Sequence, residues 1–300
     1  MRNLFINTLT DLAATHDEIF LLCGDLGYSV LEPFATRFPG RFLNVGIAEQ
    51  NMTQVAVGLA LEGYQVFTYS IGNFPTLRCM EQIRYDVCYH EANVKILAVG
   101  AGYAYGPQGA SHHTTEDLAM LRAIPNMLVC APADPVEAVA AAQFMVRHRG
   151  PAYVRLNKAG EPRLHGDGPL EFAPGHLIEV RPGCGTLVLA CGAILADVVA
   201  DVERMANGWA VYSAPFVGGY SPAQLRLLAS KFGDIVTVEE HQLNGGFGSS
   251  IIEALSDLYA AGNLAAMPRV RRIGINNQFI GVAGSQSFLR RAAGLSLAGH

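Results

Sequence analysis

The sequence predicts two α/β domains, each built around a mostly parallel sheet. Short β-rich apolar runs alternate with longer helical patterns, which is typical of βα units whose strands are buried on both faces. The chain has 300 residues, enough for two domains of ordinary size. Half of the residues are hydrophobic and only 16% are charged, so the chain can bury a large core.

The alternation is regular in the first half of the chain. The runs IFLLCG, YQVFTYS, VKILAVG, MLVCAPAD and PAYVRLN predict strands. Between them, TLRCMEQIRYDVCYH and EDLAMLRAI follow a helical period. The segment PVEAVAAAQFMVRHR predicts a helix with Asp134 as its N-cap and Pro135 at its first position. These elements predict a first domain over residues 1–165.

A change of pattern separates the two halves. From Lys158 to Gly183 the chain is dense in Pro and Gly, which indicates a linker or a small hairpin region, and we place the linker at 166–183. The alternation resumes with TLVLACG, AILADVVADVERMA, AVYSAPF, SPAQLRLLASKFG, DIVTVEEH and GGFGSSIIEALSDLYAAG. A second, smaller α/β domain is therefore predicted over residues 184–300.

Composition indicates which kinds of partner the protein can bind and in which cellular compartment it belongs. A net charge of −5 without basic clusters argues against binding nucleic acid. The apolar runs are too short to span a membrane, and the segment MRNLFINTLTDLAATHDEIF lacks the apolar block of a signal peptide. The six cysteines form no C-x-x-C pair, which favours free thiols in a reducing compartment. We therefore expect a soluble cytoplasmic protein without a membrane partner.

The stretch RFLNVGIAEQNMTQVAVGLALEG places a carboxylate on an apolar helix face. Met52, Val55, Ala56 and Leu59 follow a helical period, and counting back puts Glu49 in the first turn on the inward face. A buried carboxylate is costly unless it is paired, hydrogen-bonded or protonated. The stretch alone leaves two interpretations open. Glu49 could complement the helix dipole, or it could await a ligand nitrogen in an apolar cleft.

Other polar residues follow predicted strands, at the edge where open α/β sheets bind ligands. Asp25 lies in CGDLG, which lacks the Asn pair of a diphosphate-binding metal motif, so we expect no metal site in this chain. His112 and His113 in GASHHTTEDLAM are adjacent and point in different directions. His112 is therefore better suited to hydrogen-bonding a substrate than to metal binding. Lys158 could bind an anion or be an ordinary surface lysine.

Together these segments resemble the transketolase family of thiamine diphosphate enzymes. The resemblance rests on IAEQNM at Ile47–Met52, EQIR at Glu81–Arg84, EDLAM at Glu116–Met120 and GGFGS at Gly245–Ser249. It covers essentially the whole chain, as the pyrimidine-binding domain followed by the C-terminal domain. It implies that a partner chain, the N-terminal subunit of a split transketolase, holds the diphosphate with Mg²⁺ or Ca²⁺. An α2β2 heterotetramer is the implied assembly.

The resemblance also implies roles for individual residues. Glu49 matches the acid that hydrogen-bonds the cofactor's aminopyrimidine and promotes removal of the thiazolium proton. Asp25 resembles an acid near the thiazolium, and Ser29 resembles a serine that contacts substrate. His112 matches a histidine near the substrate, so we expect it to act in catalysis and in substrate binding.

Three positions depart from the family pattern. A phenylalanine that stacks on the pyrimidine aligns without gaps to Gly72, so we expect Phe74, or less favourably Tyr69, to supply the ring. Gln108 occupies the position where the family has an Asp that hydrogen-bonds a substrate hydroxyl. Lys158 occupies the position where the family has an Arg that binds the substrate phosphate. Lysine keeps the positive charge but loses the bidentate fork.

The implied activity is transfer of a two-carbon ketol unit from a phosphorylated or otherwise anionic ketose to an aldose. The alternative within thiamine chemistry is a β subunit of a 2-oxo acid dehydrogenase or a synthase that joins pyruvate to an aldehyde, which Gln108 keeps open. A non-catalytic scaffold subunit is disfavoured by the presence of Glu49. A generic nucleotide-binding α/β protein is disfavoured because no phosphate motif is complete.

Overall fold

The computed structural model describes residues 1–299 and confirms the predicted fold class, two α/β domains. The strands of the first domain are β1 Ile19–Cys23, β2 Phe42–Asn44, β3 Gln65–Ile71, β4 Val94–Val99, β5 Leu128–Cys130 and β6 Ala152–Leu156. They form one parallel sheet in the order β2-β1-β3-β4-β6-β5. Its helices are α1 Arg2–Leu12, α2 Glu32–Arg37, α3 Glu49–Leu61, α4 Asp117–Arg122 and α5 Pro135–Arg147, with a π-helix over Gln82–Tyr89.

The second domain repeats the layered arrangement with a smaller sheet. Its strands are β7 Ile178–Arg181, β8 Thr186–Cys191, β9 Ala210–Ser213, β10 Asp234–Gln242 and β11 Arg269–Ile275, in the order β11-β10-β8-β9-β7. Its helices are α6 Leu195–Met205, α7 Pro222–Lys231, α8 Phe247–Ala260 and α9 Gln286–Ala292. Only the edge strand β7 runs antiparallel among the pairs of this sheet that the described residues form, and it lies within the range that we predicted as the linker.

The strands of the first sheet bury both faces, as their continuous apolar runs predict. Leu21 and Phe67 belong to the cluster that α1 and α5 cover, whereas Leu22 and Val66 belong to the cluster that α3, α4 and the π-helix cover. Successive side chains of a strand point to opposite faces, so β1, β3, β4, β5 and β6 contribute to both clusters, whereas the short edge strand β2 is largely exposed. The cluster that α3, α4 and the π-helix cover continues into the second domain. The two domains are therefore joined by a shared apolar cluster.

A buried arginine ties the two domains together by hydrogen bonds. Arg155 at the end of β6 donates to the Asp117 carboxylate at 2.7 Å and to the backbone carbonyls of Thr114 and Glu240 at 2.7 and 3.0 Å. Tyr153 donates to the same carboxylate oxygen at 2.6 Å. Since Glu240 belongs to β10, one guanidinium fixes the loop before α4 against the second domain.

The order of the first sheet creates the crevice that positions the site. The chain leaves β1 toward β2 on one side, whereas β3 lies on the other side of β1 and leads on to β4. The loops that follow β1 and β3 at the carboxyl edge therefore run to opposite sides of the sheet. The space between these two loops is the crevice. Ligands bind at such reversals in open α/β sheets.

The segment after β3 differs from the helix that its periodicity predicts. Residues 76–90 form a 3₁₀ turn at Leu77–Cys79 and then the π-helix, rather than one α-helix. The Thr76 hydroxyl donates to the Gly72 carbonyl at 2.7 Å and tightens the turn. Ile83 and Val87 still face the core, because a spacing of four or five residues serves either kind of helix.

Two expectations drawn from composition can be compared with the structure. All six cysteines are free, and all but Cys184 are buried, which agrees with the expectation of unpaired thiols. Within residues 1–299, every helix is too short or too polar to cross a membrane.

Candidate active site

Glu49 lies at the floor of the crevice, on the inward face that the helical spacing predicts. It is the first residue of α3 and only 2% of it is exposed. Gly24, just after β1, is close enough that a Cβ built on it would lie 3.7 Å from Glu49 Cγ. The carboxylate therefore sits between the loop after β1 and the N-terminus of α3.

Arg78, which was not among the residues predicted for the site, is the side-chain partner of Glu49. Its guanidinium donates to Glu49 Oε2 at 3.0 Å and lies 4.8 Å from the centre of the Phe74 ring. About half of the Arg78 side chain is exposed. Arg78 lies 29 residues after Glu49, and no local pattern in the sequence relates the two residues.

The structure places the two candidate aromatic rings very differently. Phe74 is half-buried beside Arg78, and its ring meets His112 edge-on at 5.3 Å. Tyr69 is 1% exposed in the core below Gly27, and burial raises the pKa of its hydroxyl. A side chain at Gly72, the position that aligns with the family's phenylalanine, would collide with Thr114. Of the two candidate rings, Phe74 is therefore the one that contacts the arginine paired with Glu49.

A row of rings leads from Phe74 to the lysine at the end of β6. His112 lies 6.3 Å from Tyr105, and Lys158 Nζ lies 5.1 Å over the Tyr105 ring. His112 Nδ1 shares a hydrogen bond with the Ser111 hydroxyl at 3.0 Å. Glu49, Phe74, His112 and Lys158 are thus joined by successive contacts along the carboxyl edge of the sheet.

A second cation lies near this row, and sequence reasoning missed it as well. Burial raises the pKa of Tyr105, and the positive charge of Arg2 opposes that rise. Arg2 acts on the Tyr69 hydroxyl in the same way. Arg2 and Lys158 therefore bring two positive charges to the surroundings of Tyr105. Arg2 had no local signal, because it begins α1, far from these residues in the sequence.

The loop after β1 holds two of the predicted site residues in unusual backbone conformations. Asp25 and Ser29 have φ angles of 54° and 64°, which non-glycine residues rarely adopt. The Asp25 backbone N–H donates to Asn44 Oδ1 and the Asn44 amide donates to Asp25 Oδ1, both at 3.0 Å. The Ser29 N–H donates to the Glu32 carboxylate at 2.8 Å. Both side chains are exposed at the mouth of the crevice.

The two adjacent histidines are separated, as we expected. His112 is partly exposed in the row of rings, whereas His113 is 5% exposed and meets the Tyr103 ring edge-on at 4.9 Å. Burial lowers the pKa of His113. Gln108 is exposed in the short turn Gly106–Gln108, on the same loop.

A cluster of potential metal ligands lies outside the crevice, formed by Asp134, Glu137 and His165. Asp134 caps α5 as predicted by accepting from the Glu137 N–H at 2.8 Å, and its other oxygen accepts from the backbone of Leu164 and His165. His165 Nε2 and Glu137 Oε1 are 2.8 Å apart. These bonds occupy the carboxylates and fasten the segment after β6 to the start of α5.

Two family models together match most of the chain, and both describe transketolase domains. Residues 1–161 match the family model of the transketolase pyrimidine-binding domain, and residues 175–298 match that of the transketolase C-terminal domain. The chain is 31% identical over 268 residues to one subunit of the apulose-4-phosphate transketolase of Actinobacillus succinogenes, covering 88% of this chain and 84% of that protein.

Two further similarities span almost the whole chain. The 6-deoxy-6-sulfo-D-fructose transketolase subunit of Clostridium sp. is 31% identical over 300 residues, covering 99% of this chain and 90% of that protein. A solved structure described as a split gene transketolase, inactive beta4 tetramer, superposes with a TM-score of 0.85 at 31% identity. It covers 98% of this chain and 93% of that one.

The positions of the two rings predict different effects on stability. Tyr69→Ala should lower the free energy of unfolding by about 3–5 kcal/mol, because it leaves a large cavity in the core. Phe74→Ala should lower it by less than about 1.5 kcal/mol, since that ring is half-exposed. Urea unfolding of the chain measures both. Equal losses would show that Phe74 is a core residue and would remove it from the crevice.

Proposed function

Because the chain belongs to the transketolase family, we propose that it is the C-terminal subunit of a split transketolase. It transfers a two-carbon ketol unit from a ketose to an aldose together with an N-terminal partner subunit. The observation that carries this proposal is the buried carboxylate of Glu49 beside the Phe74 ring, on a chain that is similar over most of its length to single subunits of other transketolases.

The crevice fits the aminopyrimidine end of thiamine diphosphate. The carboxyl group of Glu49, which is 2% exposed, can share a proton with a ring nitrogen. The Phe74 ring, 4.8 Å from the guanidinium of Arg78, can stack on the pyrimidine. The bound cofactor supplies a carbon nucleophile that carries the two-carbon unit between the sugars. We assign its diphosphate and the Mg²⁺ or Ca²⁺ to the partner subunit.

The position of each side chain in the crevice suggests its role in the reaction. Glu49 holds a proton at the ring nitrogen and can exchange it there, as a positioned general acid or base does. Phe74 orients the ring. His112, partly exposed between Phe74 and Tyr105, hydrogen-bonds the substrate and can move a proton near neutral pH. Asp25 and Ser29 border the thiazolium and the substrate at the mouth of the crevice.

The far end of the row suits an anionic group. Lys158 Nζ lies over the Tyr105 ring, and the charge of Arg2 acts on the Tyr105 hydroxyl, so the Tyr105 end of the row is positively charged. Lysine attracts an anion without imposing the geometry of a bidentate fork. Gln108 can donate as well as accept hydrogen bonds. We infer a modified sugar with an acidic group as the substrate, such as the phosphorylated or sulfo sugars in the names of the relatives.

The proposal includes the assembly and the cellular setting. An α2β2 heterotetramer would pair each copy of this chain with a subunit that carries the diphosphate site. Free cysteines, buried in all but one case, suit the reducing cytoplasm. Carbohydrate metabolism is the corresponding process.

Reconstitution tests the split arrangement. The chain alone should bind thiamine diphosphate weakly and be inactive, because its half of the site contacts only the pyrimidine end. Mixing it with the N-terminal subunit, cofactor and Mg²⁺ should restore binding and ketol transfer, measured by calorimetry and by sugar product formation. Full turnover by the purified single chain would contradict the proposal.

Glu49→Gln in the reconstituted complex should lower kcat about 10²–10⁴-fold, because the variant cannot exchange a proton with the ring. Glu62→Gln, at the exposed end of α3, is the matched control and should be neutral. Steady-state kinetics with the best substrate measures both. A wild-type rate for Glu49→Gln would mean that this acid only complements the helix dipole, which affects stability and not rate.

A panel of sugars tests the specificity. We expect greater kcat/KM for a branched phosphorylated or sulfonated ketose than for xylulose 5-phosphate with ribose 5-phosphate, and little turnover of pyruvate. Lys158→Ala should raise KM for the anionic substrate about tenfold, since it removes one charge from the far end of the row. Lys231→Ala on α7 is the control. Highest efficiency with the ordinary pentose phosphates, or with pyruvate, would reject the substrate class.

A further inference from the structure

Arg78 has no role in the proposed function, yet it makes the two central contacts of the crevice. It donates to Glu49 at 3.0 Å and lies over the Phe74 ring at 4.8 Å. The proposed function assigns the same two contacts to the pyrimidine ring, a hydrogen bond to the acid and stacking on the aromatic side chain. The guanidinium is planar and carries N–H donors in its plane, so it can reproduce both.

We propose that Arg78 is a placeholder for the cofactor ring, and that it leaves Glu49 when the ring binds. This inference rests on the proposed function. A ring nitrogen within hydrogen-bond distance of Glu49, on a ring stacked against Phe74, requires the volume that the guanidinium fills. Arg78 and the cofactor therefore exclude one another.

The chain needs such a placeholder because Glu49 is almost fully buried. Glu49 is only 2% exposed, so its carboxylate has lost the hydration that it would have in water. Without a partner in the protein, this buried charge would destabilise the fold. The Arg78 guanidinium supplies the counter-charge. When the cofactor ring binds, one proton taken up from solvent would lie between the Glu49 carboxylate and the ring nitrogen, so the carboxylate exchanges the Arg78 donor for a shared proton and keeps a partner.

The position of Arg78 allows it to leave at little cost. About half of its side chain is exposed, and it stands in the short turn Leu77–Cys79 rather than in a regular helix. Cys79, next to it, is fully buried and holds the turn to the core. The arginine side chain can therefore rotate into water without unfolding the segment.

A placeholder reduces the fraction of molecules that can accept the ring, and the apparent dissociation constant rises by the inverse of that fraction. In the reconstituted complex, Arg78→Ala should tighten thiamine diphosphate binding about three- to tenfold. Arg226→Ala on α7 is the matched control, an exposed arginine whose side chain has no ion-pair partner within residues 1–299, and should leave the dissociation constant unchanged.

Unfolding of the chain without cofactor gives a second readout. Arg78→Ala should lower the midpoint of thermal unfolding, and Glu49→Gln in the same chain should restore most of it, because the neutral amide needs no counter-charge. Should Arg78→Ala fail to fold, Arg78→Lys keeps the charge, should keep the wild-type midpoint, and should still tighten cofactor binding because it lacks the flat group over Phe74.

The outcomes separate this inference from the proposed function. Weaker or unchanged cofactor binding by both Arg78 variants, in a complex whose wild type binds cofactor, would overturn the placeholder and leave the proposed function standing. A wild-type complex that binds no thiamine diphosphate would overturn the proposed function itself, and the placeholder with it.

Discussion

The carboxylate of Glu49 is the constraint on which the candidate site depends. It is buried at the N-terminus of α3, between the loop after β1 and the turn that follows β3. A charge in that position must have a partner, and the fold supplies one from the 3₁₀ turn that breaks the predicted helix. The irregular backbone after β3 thus serves the site, since it brings Arg78 and Phe74 to the acid.

The parallel sheet explains why residues far apart in sequence share this crevice. The carboxyl ends of β1, β3, β4 and β6 lie along one edge, so the segments after them deliver Asp25, Phe74, His112 and Lys158 in spatial order. The Arg155 hydrogen bonds then hold the histidine loop against the second domain. This arrangement is the basis for our proposal that the crevice receives a ring and an anionic substrate.

Local patterns in the sequence predicted part of this arrangement. The spacing of Met52 and Ala56 was enough to place Glu49 inward, and continuous apolar runs marked most strands, because both signals reflect burial of a nearby face. The strand β11 was missed because its run RVRRIGI carries three arginines at the edge of a sheet. The Arg78 pairing and the proximity of Arg2 to Tyr105 arise only from tertiary folding.

The most direct test is the structure of the reconstituted complex with thiamine diphosphate bound. The quantity to measure is the distance between the Glu49 carboxylate and the nearest pyrimidine ring nitrogen. We predict a hydrogen bond of about 2.6–3.2 Å, with the ring lying against Phe74. A pyrimidine ring bound away from Glu49, with the carboxylate making no contact to it, would contradict the account.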